Sequence, residues 1–215
     1  MKKQTNTKNT KNLILETARE LFITQGYEKT TIRQIITLAD VTTGSLYHFY
    51  KNKEEILLNI VDEHFNVIML QSSVLSNRYN EPLLGFSLSA SIIFNLIDQH
   101  ETLGELFLAA YNSCIISEHI VQVASTMTKD WFSAYNPTFS TIEYYHRAIL
   151  IRGMYQSLIW NYLCKKNIAL PDTVHLLIRT INQIFNVPSD KIEDILSLSQ
   201  QIMKDNDMSI LGYDI

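Results

Sequence analysis

Two short helical patterns, separated by a turn of three or four residues, occupy residues 30–53 and constrain the fold more than any other stretch of the chain. The first is a stripe of apolar side chains with the i, i+3, i+4 and i+7 spacing of one helix face. The stripe consists of Ile32, Ile35, Ile36 and Ala39. Asp40 and Thr42 then interrupt it, because aspartate tolerates the left-handed backbone of a tight turn and threonine can cap a following helix. The pattern predicts a helix of about two turns, a turn, and the start of a second helix.

The second helix is predicted to run from Thr43 to about Tyr50, with Leu46 and Tyr50 directed inward. Its other side chains form a hydrogen-bonding outer face of Thr43, Ser45, Tyr47 and His48. Such a pair of helices fits a helix-turn-helix, whose second helix lies in the major groove of DNA and contacts base edges. An ordinary pair of antiparallel helices has the same shape, so shape alone leaves both interpretations open. In the first interpretation, the four outer side chains read bases.

A lysine at the start of the next helix favours the DNA-binding interpretation. Asn52 followed three residues later by Glu55 is typical of a helix N-terminus. Lys53 then lies in the first turn, where the helix dipole disfavours a cation. A lysine there is explained if it reaches outward to an anion such as a DNA phosphate. The candidate phosphate contacts are Thr31, Arg33, Lys51 and Lys53, with Tyr50 either a fifth contact or a core residue.

Charge is distributed unevenly along the chain. The 215 residues carry a formal net charge of −4, but residues 1–53 hold nine Lys and Arg against four Asp and Glu. Residues 54–215 hold nine against eighteen. A basic segment joined to an acidic one orients the basic segment toward a phosphate backbone. Four of the nine cations precede Asn12, so lysines gathered by chance in a solvated N-terminal arm, Met1 to Asn9, are the competing explanation.

The order and spacing of residues 11–60 resemble the DNA-binding domain of TetR-family transcriptional regulators. The matching positions are Gly26-Tyr27, Thr30-Thr31, Ile35, Ala39-x-Val41, Gly44-Ser45-Leu46-Tyr47 and Lys53-Glu54-Glu55-Ile56. Two positions depart from the family pattern, with Ile36 in place of a small alanine and Asp40 in place of a glycine. The first asks the two helices to pack slightly further apart, and the second makes the turn costlier.

Beyond the helix-turn-helix the sequence predicts helices throughout, and hence an all-α protein. A helix over residues 10–25 precedes Gly26, which can take the left-handed conformation that ends a helix. Further helices are predicted near 52–77, 81–99, 101–113, 115–135, 138–167, 172–186 and 189–205, with the four prolines at the joints. We divide the chain into residues 1–53, a three-helix DNA-binding domain with a basic N-terminal arm, and residues 54–215, a larger helical domain for ligand binding and dimerisation. The resemblance implies that the helix at 52–77 transmits ligand binding to the recognition helix.

The predicted helices at 138–167 and 172–186 are apolar over most of their circumference, which requires cover on two sides. One side can face the same chain, while the other needs a partner. A two-fold dimer built on a four-helix bundle of these helices fits that requirement and is implied by the resemblance. Complete burial within a monomer is the alternative. The predicted interface residues are Tyr155, Leu158, Tyr162, Leu177 and Ile181.

Aromatic residues are frequent in the second domain, and aromatic walls with a few polar groups occur both in ligand pockets and in ordinary helical cores. The residues predicted to line an effector pocket are His64, Tyr111, Trp131, Tyr145, His146 and Trp160. The six histidines have no metal-ligand spacing, so a site pairing His64 with His146 is disfavoured and we predict neither a metal nor a cofactor. Cys114 and Cys164 have apolar neighbours and are interpreted as buried free thiols in a reducing cytoplasm.

These patterns, together with what the resemblance implies, favour a cytoplasmic, ligand-responsive transcriptional repressor. It would bind a palindromic double-stranded DNA operator as a homodimer and be released by a small-molecule effector. The alternative is a coregulator that acts through a protein partner and binds DNA weakly by itself, which a distorted turn at Ile36 and Asp40 would favour. The polar, basic N-terminus carries no secretory signal, and the longest uncharged stretch, residues 82–97, is too short to span a membrane. No nucleophile–base motif, phosphate-binding glycine loop or carboxylate pair indicates an enzyme.

Overall fold

The computed structural model describes residues 2–165 and 169–206, and their backbone is almost entirely α-helical. Ten α-helices and one 3₁₀ turn follow one another, and no strand occurs in these two ranges. The helices are α1 (Lys2–Gln25), α2 (Ile32–Leu38), α3 (Thr43–Phe49), α4 (Lys53–Arg78), α5 (Leu83–Gln99), α6 (Glu101–Asn112), α7 (Cys114–Phe132), α8 (Thr141–Lys165), α9 (Leu170–Ile184) and α10 (Ser189–Asp205), with the 3₁₀ turn at Ser133–Tyr135. The predicted all-α fold is confirmed.

The start of α1 differs from the sequence prediction. A helix beginning at Thr10 after an N-terminal arm was expected, but the backbone is helical from Lys2. No proline or glycine precedes Gly26, so nothing in the polar residues 2–9 breaks a helix. The arm is therefore a continuation of α1, and Met1 lies outside the described residues. Gly26 ends α1 with a φ of +87°, as predicted.

The head of the protein consists of α1, α2, α3 and the first half of α4. Its core is one contiguous cluster that includes Phe22, Ile35, Leu46 and Ile60, one from each of these four helices, all fully buried. The same cluster contains three residues of α6 and α7, namely Leu106, Ala110 and Ile116. The head therefore packs directly onto the rest of the protein.

The body consists of the second half of α4 and α5–α10, arranged around α5. Nearly every residue of α5 is buried because its sequence is apolar on all faces, and it contacts α4, α6, α7, α9 and α10. Phe132 at the end of α7 stacks on Phe185 at the end of α9, with ring centroids 4.3 Å apart. Asn136 donates hydrogen bonds to the carbonyls of both residues, at 2.9 Å and 2.7 Å. These contacts join the ends of α7 and α9 across the body.

The two cysteines are exposed free thiols, so the prediction that they are buried is wrong. Cys114 is the first residue of α7, and Cys164 lies in the last turn of α8. Apolar sequence neighbours did not reveal that these two positions lie at helix ends on the surface.

No single helix in the described part of the chain is both long and apolar enough to cross a membrane. One bent pair, Glu101–Asn112 with Cys114–Tyr135, reaches the required length and composition together, and its two parts meet at 95°.

Candidate nucleic-acid interface and internal pocket

α2 begins at a capping box. The Thr31 hydroxyl accepts the N–H of Gln34 at 3.2 Å, and the Gln34 side chain accepts the N–H of Thr31 at 2.8 Å. These reciprocal bonds satisfy two of the N–H groups that a helix start leaves free. The preceding Thr30 is buried, and its hydroxyl donates to the carbonyl of Gly26 at 2.9 Å. The start of α2 is thus fixed to the end of α1.

A left-handed residue closes the turn between α2 and α3. Asp40 has a φ of +48°, which costs a residue with a Cβ more than it costs glycine. The N–H of Asp40 donates to the carbonyl of Thr37 at 3.4 Å, and the N–H of Val41 donates to the carbonyl of Ile36 at 3.2 Å. These are the two hydrogen bonds of a Schellman cap. Ile36 and Val41 hold the two positions that are commonly apolar in this cap, and both pack against the head core. The turn accommodates Ile36 and Asp40 and remains closed.

α3 is held by a cap at its start and by two buried side chains. The Thr42 hydroxyl accepts the N–H of Ser45 at 3.1 Å. Leu46 is fully buried and Tyr50 is 1% exposed, so the predicted inward pair is confirmed. The opposite face is open to solvent at Thr43, Tyr47 and His48. Three of the four predicted base readers therefore project from a fixed helix.

Ser45 differs from the other three. It is half-buried, and its hydroxyl lies 2.8 Å from the Thr42 hydroxyl. A contact from Ser45 to a base would have to share or replace that bond. The structure places Ser45 within the cap that supports α3.

Tyr50 is a core residue, which is one of the two interpretations that the sequence left open. Its hydroxyl is buried and has no hydrogen-bond partner among the described residues. Burial, with a smaller contribution from Glu63, raises the pKa of Tyr50 to about 12. The phenol therefore stays neutral near pH 7 and belongs to the interior of the head.

Lys53 points inward, so the prediction that it reaches outward to an anion is wrong. Its ammonium donates to the carbonyls of Tyr27 at 2.7 Å and Thr30 at 2.9 Å, and lies 4.1 Å from the centre of the Tyr27 ring. Burial lowers the pKa of Lys53, and the nearby Glu28 carboxylate opposes that effect. The carbonyls of the loop between α1 and α2 offset the unfavourable helix dipole. Lys53 thus ties α4 to this loop.

The other predicted phosphate contacts lie at the surface. Thr31 and Arg33 are exposed, and the Lys51 side chain is 87% exposed with its ammonium 3.7 Å from Glu55. Sequence reasoning missed Lys11, whose ammonium lies 5.8 Å from the centre of the Tyr50 ring, beside the end of α3. The available signal was the group of lysines before Asn12, which was interpreted as part of a tail.

Polar side chains connect α4 to α1 and α7. Arg19 of α1 pairs with Glu63, and Ser113 at the start of α7 donates to Glu54. Further along both helices, Nε2 of His119 lies 2.9 Å from Oδ1 of Asp62. A displacement of α7 would therefore act on the part of α4 that belongs to the head.

A pocket of about 50 Å³ lies inside the body between α4, α5, α6, α7 and α8. Its walls are mostly aromatic and aliphatic, and they include Tyr111 and Trp131, two of the six residues predicted to line an effector site. Tyr155, which was predicted for the dimer interface, also lines it, as does Arg152, which sequence reasoning missed. Arg152 stands among apolar residues on one face of α8, and the sequence alone gave no reason to direct it inward.

The remaining four predicted pocket residues lie outside this lining. His64 is buried in α4, and burial, followed by the nearby Arg19, lowers its pKa to about 4. The Tyr145 hydroxyl donates to Glu118 at 3.1 Å, while His146 and Trp160 are exposed. In residues 2–165 and 169–206, no group of three or more His, Cys, Asp or Glu side chains is placed to hold a metal.

Two wider clefts open at the surface. One of about 430 Å³ lies between α5, α9 and α10, and one of about 340 Å³ lies between the loop after α1 and α6. Neither has a wall formed by α4, so neither acts directly on the helix that joins head and body.

The two apolar faces of α8 have different surroundings. Of the five predicted interface residues, Tyr155, Leu177 and Ile181 are buried in the body core, and Leu158 and Tyr162 pack partly against it. The prediction selected the face that the protein itself covers, and it is wrong in that respect. The open face of α8, with exposures between 44% and 59%, comprises Ile142, Ile149, Leu150 and Trp160. On α9, Leu176 is also exposed, at 62%.

Comparison with known proteins agrees with this geometry. The family model for bacterial regulatory proteins of the tetR family matches residues 14–60. The HTH-type transcriptional regulator YhgD of Bacillus subtilis (strain 168) is 38% identical over 76 residues, which cover 35% of this chain and 38% of YhgD. This chain spans between 29% and 63% of the length of the first curated relatives it matches.

Two solved structures share the fold along most of its length. RolR in complex with resorcinol superposes with a TM-score of 0.70 at 14% identity, covering 90% of this chain and 96% of RolR. FadR of Thermus thermophilus, a TetR-family transcriptional repressor in complex with lauroyl-CoA, superposes with a TM-score of 0.65 at 14% identity, covering 83% of this chain and 96% of FadR.

The closed turn and the capped α3 form a helix-turn-helix, and a larger helical body follows it. Residues 14–60 match the tetR-family model of bacterial regulatory proteins, and the chain as a whole is similar in fold to solved TetR-family structures. YhgD is named as a transcriptional regulator and FadR as a transcriptional repressor, in agreement with the class predicted from the sequence.

Proposed function

We propose that this protein is a ligand-responsive transcriptional repressor that binds double-stranded DNA as a homodimer. The observation that carries the proposal is the exposed polar face of α3, which a cap and two buried side chains hold at the surface of the head. A helix fixed in this way can enter the major groove and bring side chains to base edges. The positive charge of residues 1–53 supplies attraction to the phosphates.

The head supports separate roles for its side chains. Thr43, Tyr47 and His48 read bases, since they are exposed on the outer face of α3. The phosphate contacts come from the exposed groups around α3, which are Thr31, Arg33, Lys51 and Lys11. Ser45 and Lys53 act by positioning, Ser45 through its bond to Thr42 and Lys53 through its bonds to the loop before α2.

The open face of α8 supports dimerisation. Ile149 and Leu150 lie in the middle of this face, and Gly153 follows one turn later. A Cβ added at Gly153 would meet no atom within 4 Å, so a second copy of α8 can approach closely there. A two-fold dimer presents two copies of α3, and two recognition helices related in this way match a palindromic operator.

The internal pocket supports control by a ligand. Ile120 lines the pocket and packs against both the body core and the head core. Phe65 and Met69 form the part of the wall that belongs to α4. A ligand that widens the pocket displaces α4 and α7, and because both helices are tied to the head, it changes the position of α3 and releases the operator.

The relatives support a repressor that responds to a ligand. FadR is a repressor whose structure contains lauroyl-CoA, and RolR was solved with resorcinol. Both ligands have an apolar part. The mostly apolar pocket between α4 and α8 is suited to molecules of that general character.

The alternative role, a coregulator with weak DNA binding of its own, depends on a distorted turn. The hydrogen bonds of the turn are complete despite Ile36 and Asp40. No observation in the head therefore favours this alternative over direct DNA binding.

Selection of genomic fragments with the purified protein tests the proposal. We expect the wild type to enrich an inverted repeat, and a double variant, Tyr47→Ala with His48→Ala, to lose the enrichment while its thermal unfolding is unchanged. Both positions are exposed, so the folded state tolerates the changes. If the folded wild-type dimer enriched no sequence, the proposal would be rejected in favour of a protein partner.

A further inference from the structure

Among the described residues that line the internal pocket, Arg152 is the one charged side chain and none is acidic. One guanidinium nitrogen, Nη2, donates to the carbonyl of Tyr111. The Nε atom is buried and has no hydrogen-bond acceptor in the described part of the chain. An arginine has five N–H donors, and a buried N–H without an acceptor is unfavourable. Arg152 therefore retains donor capacity inside an apolar pocket.

The wall around Arg152 is suited to an apolar molecule. Phe65, Phe86 and Trp131 supply aromatic surfaces, and Ile93 and Ile151 supply aliphatic ones. Charge attraction is stronger between such walls than in water, since the effective dielectric constant is lower. A ligand with a negative group at one end of an apolar body would satisfy both the guanidinium and the walls.

We propose that this pocket binds a small apolar carboxylate, and that Arg152 pairs with the carboxylate group. The planar guanidinium matches a carboxylate in two parallel hydrogen bonds. Neutral analogues lose this pairing, and cationic analogues are repelled by Arg152. This inference rests on the proposed function, because it names the chemical class of the effector.

The pocket has to widen for such a ligand. Its volume of about 50 Å³ is well below the roughly 300–1,000 Å³ of pockets that hold drug-sized molecules. Met69 of α4 and Met127 of α7 line it, and methionine side chains rearrange easily because they are unbranched and flexible. Entry of the ligand therefore moves the α4 wall, which is the displacement that the proposed release of DNA requires.

The chain offers a built-in reporter for this test. It has two tryptophans, Trp131 in the pocket wall and Trp160 on the surface. In a Trp160→Phe background, the fluorescence of Trp131 follows binding in the absence of DNA. The probes are 4-phenylbutyrate, its neutral alcohol 4-phenylbutan-1-ol, and its amine 4-phenylbutylamine, which share one apolar body.

We expect the carboxylate to bind at least about tenfold more tightly than the alcohol, and the amine to bind most weakly, because a buried charge-assisted pair contributes more than a neutral contact. Arg152→Met should abolish the preference for the carboxylate and leave the affinity for the alcohol within about threefold. Arg179→Met is the matched control, since Arg179 pairs with Glu193 on the surface, and it should leave the preference intact. Arg152→Lys should retain part of it.

Equal affinity for carboxylate and alcohol, a preference that survives Arg152→Met, or no fluorescence response to any probe would overturn the inference. If Arg152→Met does not fold, the inference is tested by the order of the affinities of the three probes for the protein with Arg152 intact. If the protein binds the carboxylate but no operator, the inference about the pocket is upheld and the proposed regulator is rejected. If it binds an operator but shows no preference for the carboxylate, the proposed regulator is upheld and the inference about the pocket is rejected.

Discussion

The head and the body of this protein carry their functions in different kinds of structure. In the head, the functional side chains project from motifs formed within a few residues, such as the cap of Thr42 on α3 and the turn at Asp40. In the body, the pocket and the exposed face of α8 depend on how helices distant in the sequence pack together. The head is therefore far easier to interpret from sequence than the body.

Two lysines show where local patterns fail even in the head. Lys51 and Lys53 are two residues apart at the start of α4, yet the first is 87% exposed and the second donates to loop carbonyls. Both lysines lie next to the same helix start in the sequence. Only Lys53 reaches the carbonyls of the loop before α2, and this loop lies more than twenty residues earlier in the chain.

We expect the largest effect from charges placed on the open face of α8. Ile149→Glu with Leu150→Glu should convert the dimer into a monomer, because a buried interface does not accommodate unpaired charges. Loss of two-site binding should weaken operator affinity by about 100-fold or more. Sedimentation and DNA titration measure the two effects.

The matched control is Leu70→Glu with Val74→Glu. These residues form a second exposed apolar stripe on α4, with exposures of 66% and 53%. The control should remain dimeric. A monomeric control beside a dimeric α8 variant would assign the interface to α4 instead.

The recognition helix provides the next prediction. Tyr47→Ala or His48→Ala should relax sequence preference and cost about 1–3 kcal/mol at one contacted base pair. Ser45→Ala should change preference less, because its hydroxyl is bonded to Thr42. Competition with operators carrying single base changes measures the difference. A larger effect for Ser45→Ala than for Tyr47→Ala would reverse the roles assigned to them.

His64 predicts a pH dependence of stability at the junction of head and body. Its pKa is lowered to about 4 in the folded protein from 6.5, so the unfolded chain binds a proton at higher pH than the folded chain does. The contribution of neutral His64 to the free energy of unfolding is fully present above about pH 6.5. It is lost as the pH drops toward 4, and the loss between pH 7 and pH 5 is about 2 kcal/mol. Chemical unfolding at the two pH values measures this loss.

His64→Gln should remove this loss of stability between pH 7 and pH 5. His146→Gln, at an exposed position, should leave the loss unchanged. If the dependence persisted in full in His64→Gln, another group would be responsible for it.

The smallest effects compare Lys53 with Lys51. Lys53→Met should lower the free energy of unfolding by about 1–2 kcal/mol, since hydrogen bonds from a charged donor are lost, with little change in the salt dependence of DNA binding. Lys51→Met should leave stability nearly unchanged and reduce the log–log salt slope by about 0.9 per phosphate contact. Thermal unfolding and salt titration separate the two roles. If the salt slope changed in Lys53→Met but not in Lys51→Met, Lys53 and not Lys51 would be the residue that contacts a phosphate.

Apart from the start of α1, the sequence predicted the helices, the turn, the cap at Thr42 and the inward pair of α3, because each depends on neighbouring residues. It also predicted that α8 is apolar on two faces, but periodicity does not tell which face the body covers. Tyr155 was assigned to the outside for that reason, although it lines the pocket. Arg152 was missed because its significance comes from the residues that surround it in space.

The most direct test of the central claim, that a dimer binds DNA through the exposed surface of its heads, is the salt dependence of wild-type affinity for the selected fragment. Two heads that each make three or more phosphate contacts predict a log–log slope of about −5 or steeper. A slope between zero and about −1 for folded, dimeric protein would contradict the account, because the basic surface around α3 would then make almost no contact with the phosphates.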